Sequence, residues 1–310
     1  MSVRTNAAAA AWLSSQLRYI EAEVAETKYP QVRYAEVIPI RTDVPEGFRF
    51  ITYAMSDIIG KAQWGGENVT DSPNVEALFN EFNQKIEPII AGYEYSDREI
   101  AAAAAAAGGP GPAIRLDTAR AKNCRRAIEF MLDEVAFFGD TTRGIKGFAN
   151  HPNVPIVSIP NGSWTTSTSA DDIEEDLRAG EQSISTVSLD AERATAMVVP
   201  PSVWYLMTKR LGSFSTATAL DAFLANARYL RDRGQVYTSV RLETAGAGGG
   251  PRIVMFDRNP EQVYFSLPQP FRQNEELRLA YGYKVPAYAL TAGVIWKFPK
   301  SAGYLDVVDP

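Results

Sequence analysis

The chain has 310 residues, with apolar content (45%) and charged content (22%) ordinary for a globular protein and long enough for one large domain or two smaller ones. Its formal net charge of −6 argues against a protein that grips nucleic acid through a basic surface. One cysteine and one histidine exclude an internal disulfide and any metal cluster made of Cys and His alone within one chain, and with no signal peptide or membrane-length apolar run in view the expectation is a soluble protein of a reducing compartment, with no membrane partner.

Residues 7–27 read as an amphipathic helix, with Trp12, Leu13, Leu17, Ile20 and Val24 at helical spacing. "VRYAEVIPI" (32–40) looks extended, and Pro39 keeps it from a central sheet position. Residues 47–64 are rich in strand formers, and the apolar ones fall on both faces: Phe48 and Phe50 on one, Ile51, Tyr53 and Met55 on the other. The polar loop "GGENVTDSPN" and a second extended segment, "VEALFNEFNQKIEPIIAGYEY", complete a long hairpin. Apolar side chains on both faces of a hairpin are a liability in a monomer and an asset in an assembly.

Ser96 and Glu99 form a capping box before an alanine helix, which "GGPGP" ends. Residues 117–138 carry the strongest helical signal. Asp117 is the expected N-cap, and Cys124, Ala127, Ile128, Met131, Leu132, Val135 and Phe138 make one apolar stripe. Arg120, Lys122, Arg125, Arg126, Glu129 and Asp133 cover the remaining surface. Gly139 stands where helices commonly end, and the helix spans about 33 Å.

From 154 to about 260 the pattern alternates. "VPIVSI" is a strand, 170–187 a helix, "ATAMVV" a strand, "PPSVWYLMTKR" and "TALDAFLANARYL" helices, and "VYTSVRL" and "RIVMF" strands around a Gly-rich turn. The last fifty residues read as strands that return to the long helix.

No catalytic constellation, cofactor site or metal site emerges. "GDTTRGIKGFANHP" (139–152) almost spells a phosphate loop, since Gly139 and Gly144 have the right separation. But Ile145 replaces the lysine, Lys146 comes one place late, Gly147 replaces the hydroxyl, and the stretch follows a helix where a phosphate loop follows a strand. The reading preferred is a helix stop and turn series with Gly139, Gly144 and Gly147 at positive φ. His151 is assigned to a surface or interface, Cys124 to the core, and the acids of "DDIEED" (171–176) to a helix N-terminus. Arg228, Arg231 and Arg233 are the mirror case at a helix end, or contacts to a neighbour or a phosphate backbone. A nucleotide-binding α/β enzyme is the remote alternative.

The ordered set of elements resembles the major capsid proteins of tailed bacteriophages, of the Hong Kong 97-type fold. "RYAEVIPI" with "FRFITYAMSDIIGKAQ" is similar to the end of that family's N-arm and the outgoing strand of its extended loop. "LDTARAKNCRRAIEFMLDEVAFFGDTTRGIKGFANHPNV" is similar to its spine helix and following turn, where Phe138, Gly139 and Asp140, then Gly144, Ile145, Gly147, Phe148 and Asn150, match the family pattern. "AYALTAGVIWKFPKSAGYLDVVD" is similar to its last peripheral strands and tail.

The resemblance implies an α+β Hong Kong 97-like fold with four parts: an N-terminal arm (1–40), an extended β-hairpin loop and return strand (41–95), a peripheral domain (96–153 and 262–310) with the spine helix 117–138, and an α/β axial domain (154–261). It implies a subunit that assembles with itself into hexamers and pentamers around double-stranded DNA, held only by weak non-specific contact. Portal and scaffolding proteins, and a decoration protein, are further implied partners; since the chain begins at the arm, scaffolding is expected to be separate or unneeded. The place of action is the virion, after assembly in the host cytoplasm. Contacts between subunits are expected at Trp12, Phe48, Phe50, Tyr53, Lys61 and Trp64. Cys124, Ile128, Met131, Leu132 and Val135 are expected in the spine-helix core, and Gly139, Gly144 and Gly147 at a hinge turn. Some members cross-link an extended-loop lysine to a neighbour's Asn; Lys61 is the only lysine in the outgoing half, and no matching Asn or acid is nominated. The same fold also serves encapsulin-type nanocompartment shells, the main alternative.

Overall fold

A computed structural model describes residues 30–60, 62, 64, 74–106, 116–212 and 216–307. The helix expected over 7–27 with Trp12, as well as Lys61, the hairpin tip at 65–73, "GGPGP" and the side chain of Asp117, lies outside the described residues.

Two apolar runs, Ala196–Val199 and Arg252–Phe256, are buried at every position, the pattern of strands covered on both faces. They form the middle of a five-stranded sheet in the order Ile156–Val157, Ala302–Asp306, Arg252–Phe256, Ala196–Val199, Val236–Thr238. The central strand is antiparallel to both neighbours, and the two outer pairings are parallel. The pleat sorts the side chains. Met197, Val199, Ile253, Met255 and Leu305 pack on Ile173, Leu177 and Ile184 of the helix Ala170–Val187 and on Phe223 of the helix Ala219–Asn226. Val198, Val254, Phe256 and Tyr304 turn to the opposite core, where the long helix ends. Both helices are capped as their sequences allow: the Ser169 hydroxyl accepts from Asp172 N–H at 3.1 Å, and Thr218 and Asp221 form a capping box.

A second sheet is built on two ten-residue strands, Glu87–Ser96 and Gly282–Thr291, paired antiparallel along their full length. The far edge of Gly282–Thr291 takes Gln269–Gln273 and Leu277–Leu279. The long helix, Leu116–Phe138, lies on this sheet and buries Cys124, Ile128 and Leu132 in one cluster with Ala287 and Ala289. A third sheet joins Ile40–Arg41, Val263–Ser266 and Gly293–Trp296. The hairpin pairs Phe50–Ile59 with Glu76–Lys85 through ten residue pairs, and no third strand joins it among the described residues.

Several expectations change. "VRYAEVIPI" is not extended throughout: Tyr34–Val37 is one helical turn. Asp133 of the long helix fixes it by accepting from the N–H groups of Arg33 and Tyr34 at 3.1 and 3.2 Å. Pro39 does precede an edge strand, Ile40–Arg41. "VYTSVRL" is a strand only over Val236–Thr238; the Ser239 hydroxyl then accepts from Arg241 N–H at 3.3 Å and turns the chain into a 3₁₀ segment, Val240–Thr244. Residues 302–306, expected with the peripheral strands, lie inside the five-stranded sheet, because their near-continuous burial matches a strand with covered faces. Asp133 is buried and not part of a solvated face, since Arg241 Nε donates to it at 2.8 Å.

Candidate functional site: a rigid joint and an uncovered hairpin

The stretch 139–152 closes the long helix and joins the two cores. Gly139 and Asp140 pair with Lys146 and Ile145 in a miniature hairpin. The Asp140 carboxylate accepts from Thr142 N–H at 2.9 Å, from the Thr142 hydroxyl at 2.5 Å and from Arg143 N–H at 3.4 Å. The Thr142 hydrogen bonds, chiefly, hold its pKa below the usual carboxylate range. Gly144 N–H is used by the Thr141 carbonyl at 3.3 Å. The N–H groups of Thr142, Arg143 and Gly144, which a phosphate loop would aim at a ligand, are thus engaged by the turn itself.

Beyond the turn, the backbone returns to the helix end. Phe148 and Ala149 N–H donate to the carbonyls of Ala136 and Phe137, both at 2.9 Å, and Asn150 Nδ2 donates to that of Phe138 at 2.6 Å. Carbonyls that a helix terminus leaves unpaired are therefore satisfied by the loop. Gly139 and Gly144 have φ of +70°, as expected. Gly147 does not take positive φ; it is required because a Cβ there would overlap backbone of Phe137 and Phe138.

Phe148 then enters a cluster of rings, with centroids 6.1 Å from Phe137, 4.9 Å from Phe256 and 5.4 Å from Trp296. The Tyr304 hydroxyl donates to the Phe148 carbonyl at 2.5 Å and accepts from His151 N–H at 3.1 Å. Burial pushes the Tyr304 phenol well above its ordinary range. Arg252 donates to the Ala149 carbonyl at 2.7 Å and holds Asp306 in two bonds, 2.6 and 2.9 Å. His151 is 5% exposed, so the surface role expected for it is wrong: its Nδ1 accepts from Asn153 N–H at 3.3 Å, inside the joint. Burial, with the nearby Lys146 charge second, lowers its pKa to about 4.

The hairpin is the opposite case. Trp64 is fully exposed and Phe79 is 68% exposed; Phe48, Phe50, Leu78 and Phe82 are exposed as well. Tyr53 stacks on Phe82 across the strands, with centroids 5.3 Å apart, which stiffens the ribbon without covering it. The ribbon is tied to the joint at its base, where Gln84 Nε2 donates to the Gly144 carbonyl at 3.4 Å and Glu87 bridges Lys85 and Arg143.

Of the residues expected in the helix core, Cys124, Ile128, Leu132 and Val135 are buried, and burial raises the Cys124 thiol pKa. Met131 is 42% exposed, because it sits on the flank of the helix, beyond the edge of the sheet beneath. Asp171 and Asp172 occupy the first turn of their helix as expected, but Asp176 is buried and accepts from Trp164 Nε1 at 2.7 Å. Arg228 and Arg233 pair with Asp190 and Asp221 within the chain, and Arg231 Nε donates to the Ala227 carbonyl. Arg252, Glu181 and Tyr304 were not singled out from sequence; the available signal was a polar group inside an apolar period, as at Glu181 between Leu177 and Ile184.

A tile with one welded joint, two packed cores and an unsheathed apolar ribbon is a structural subunit in form. Residues 60–308 match the model of the family described as Major capsid protein, which is most of the chain, and the chain belongs to that family. No curated protein matches it. Solved structures similar to it include the capsid of Myoviridae phage XM1, at a TM-score of 0.80 and 15% identity, covering 94% of this chain and 97% of that one. A second, from Gordonia phage Cozz, has a TM-score of 0.61 at 14% identity and covers 96% and 94%. A third, the capsid of a native GTA particle, has a TM-score of 0.64 at 11% identity and covers 97% and 99%. The capsid fold expected from the resemblance is borne out.

Proposed function

We propose that the chain is the shell subunit of a tailed-phage virion, assembling with itself into an icosahedral container for double-stranded DNA. The observation that carries this reading is the family match over residues 60–308, together with a hairpin that leaves Phe48, Phe50, Phe79 and Phe82 exposed. Folded monomers rarely leave such a ribbon bare, because two-stranded ribbons are marginal alone and apolar patches of this kind mark association surfaces. Phe48, Phe50, Tyr53 and Trp64 are assigned to contacts between subunits in hexamers and pentamers, and Trp12 and Lys61 are proposed beside them. The acidic balance suits a container that does not hold its DNA tightly. Portal, scaffolding and decoration proteins are the further partners proposed, and the chain's role is structural and not enzymatic.

Electron microscopy of the purified protein tests this: closed icosahedral particles are expected. Protein that stays monomeric under all assembly conditions overturns it. Nuclease-protected DNA inside native particles separates a genome container from an encapsulin-type shell that packages an enzyme.

A further inference from the structure

Asn161–Gly162 is the only Asn-Gly pair in the chain. It lies in the turn between the strand Ile156–Val157 and the helix Ala170–Val187, and Asn161 is exposed there. Such a pair carries a chemistry of its own. A backbone nitrogen can close an imide ring on the side-chain carbonyl carbon of the asparagine before it. Bulk on the residue that owns the nitrogen obstructs closure, and glycine has none.

The fold leaves the nucleophile open. Gly162 has φ of +71°, and a Cβ placed on it meets nothing within 4 Å. Among the described residues its N–H donates to no acceptor. The nitrogen that leaves is Asn161 Nδ2, which donates to the Asp172 carbonyl at 3.2 Å, to Glu175 Oε2 at 3.3 Å and to Asp176 Oδ1 at 3.2 Å. These bonds are at or beyond the long end of the usual range, so they orient the amide more than they protect it. Two carboxylates also flank the atom on which positive charge develops as ammonia departs, which favours departure. Asn150 and Asn153 differ: they precede His151 and Val154, and Asn150 Nδ2 donates to the Phe138 carbonyl at 2.6 Å.

We infer that Asn161 is a site of spontaneous deamidation, and that its conversion opens a latch in the α/β part of the subunit. Base in the solvent removes the Gly162 amide proton, and the nitrogen forms a bond to Asn161 Cγ. The Cγ–Nδ2 bond breaks, and the nitrogen leaves as ammonia with a proton from water. Water then opens the imide at one carbonyl or the other, leaving aspartate or isoaspartate. The net change consumes one water and releases one ammonia, with nothing oxidised or reduced.

The latch is centred on Asp176, which is fully buried and accepts from Trp164 Nε1 at 2.7 Å and from Asn161 N–H at 3.0 Å. Trp164 packs in one cluster with Ile173 and Leu177, and its N–H donates to the Val307 carbonyl at 2.6 Å. An aspartate at 161 puts a carboxylate in place of a donor, among three acceptors of which two are charged. An isoaspartate lengthens the main chain by a methylene and moves the 161 N–H away from Asp176. Either product works against the bonds that seat Trp164. This is a property of the folded subunit, whether or not it joins a shell.

Peptide mapping of aged, purified protein tests the site. Trypsin releases residues 147–178 as one peptide that holds Asn150, Asn153 and Asn161. In mildly alkaline buffer, aspartate and isoaspartate are expected to accumulate at 161 at least about tenfold faster than at 150 or 153. Conversion at 161 no faster than at its two neighbours overturns the inference. Fresh Asn161→Asp protein tests the latch, and its Tm is expected to lie at least about 2 °C below wild type. An unchanged Tm overturns the latch. If Asn161→Asp fails to fold, aged wild-type protein is read instead: its Tm is expected to fall in step with the fraction converted, and a constant Tm overturns the latch. Asn161→Gln, whose longer side chain closes a ring far more slowly, is expected to keep its Tm through the same incubation. A parallel fall in Asn161→Gln assigns the loss to another site and overturns the latch.

Discussion

The joint and the hairpin are both rich in aromatic residues, and they use them in opposite ways. At the joint, Phe137, Phe148, Phe256 and Trp296 close on one another, and Tyr304, Arg252 and His151 satisfy the backbone around them. In the hairpin, Phe50, Phe79, Phe82 and Trp64 are exposed, and among the described residues only Tyr53 and Phe82 stack. The difference teaches where each region draws its stability. The joint is stable within one subunit. The hairpin keeps its apolar surface available, and in the proposed shell that surface is buried on association.

That contrast is open to direct attack. The largest effect on subunit stability is expected for Phe148→Ala, which empties the centre of the ring cluster and costs about 3–5 kcal/mol in urea unfolding of dissociated subunits. A loss below about 1 kcal/mol means the joint is not what holds the two cores together.

Acid comes next. The folded pKa of His151 lies at about 4, below its ordinary value of 6.5, so the unfolded chain binds the extra proton first. Stability from this group is present above pH 6.5 and is lost as pH falls toward 4, by at most about 1.4 kcal/mol per pH unit. His151→Gln is expected to flatten the stability profile between pH 6.5 and 4.5. That window lies above the range in which Asp140 and Asp221, whose pKa values are lowered by hydrogen bonds from Thr142 and Arg233, take up protons. An unchanged slope places the titration elsewhere.

Tyr304→Phe removes one hydroxyl and leaves the Phe148 carbonyl and His151 N–H without it. A loss of about 1–3 kcal/mol is expected by thermal or urea unfolding. The smallest effect on the subunit is expected for Trp64→Ala, within about 0.5 kcal/mol of wild type, because Trp64 is fully exposed. The same variant is expected to weaken particle formation in light scattering. Should Trp64→Ala unfold the subunit while Phe148→Ala does not, the comparison is reversed.

Much of the fold was legible because local signals agreed with one another. The capping box at Ser96 and Glu99 forms as read, with bonds of 3.1 and 3.2 Å. The helix at 170–187 has the expected bounds, and the long helix starts one residue early. What escaped depended on distant partners. The turn at Tyr34–Val37 needs Asp133, a hundred residues away. His151 before a proline looked peripheral until Tyr304 and the joint enclosed it. Met131 keeps helical phase with the core, but the sheet beneath is too narrow to cover it.

The sequence by itself determined most of the element types, the two-faced hairpin, the glycine stop of the long helix and the absence of a phosphate-loop pattern. These follow from period, propensity and turn chemistry, which act over a few residues. Tertiary structure decided that the C-terminal strand enters the α/β sheet and that Gly147 is needed for contact and not for φ. Each depends on which backbone lies alongside another, and no local pattern encodes that.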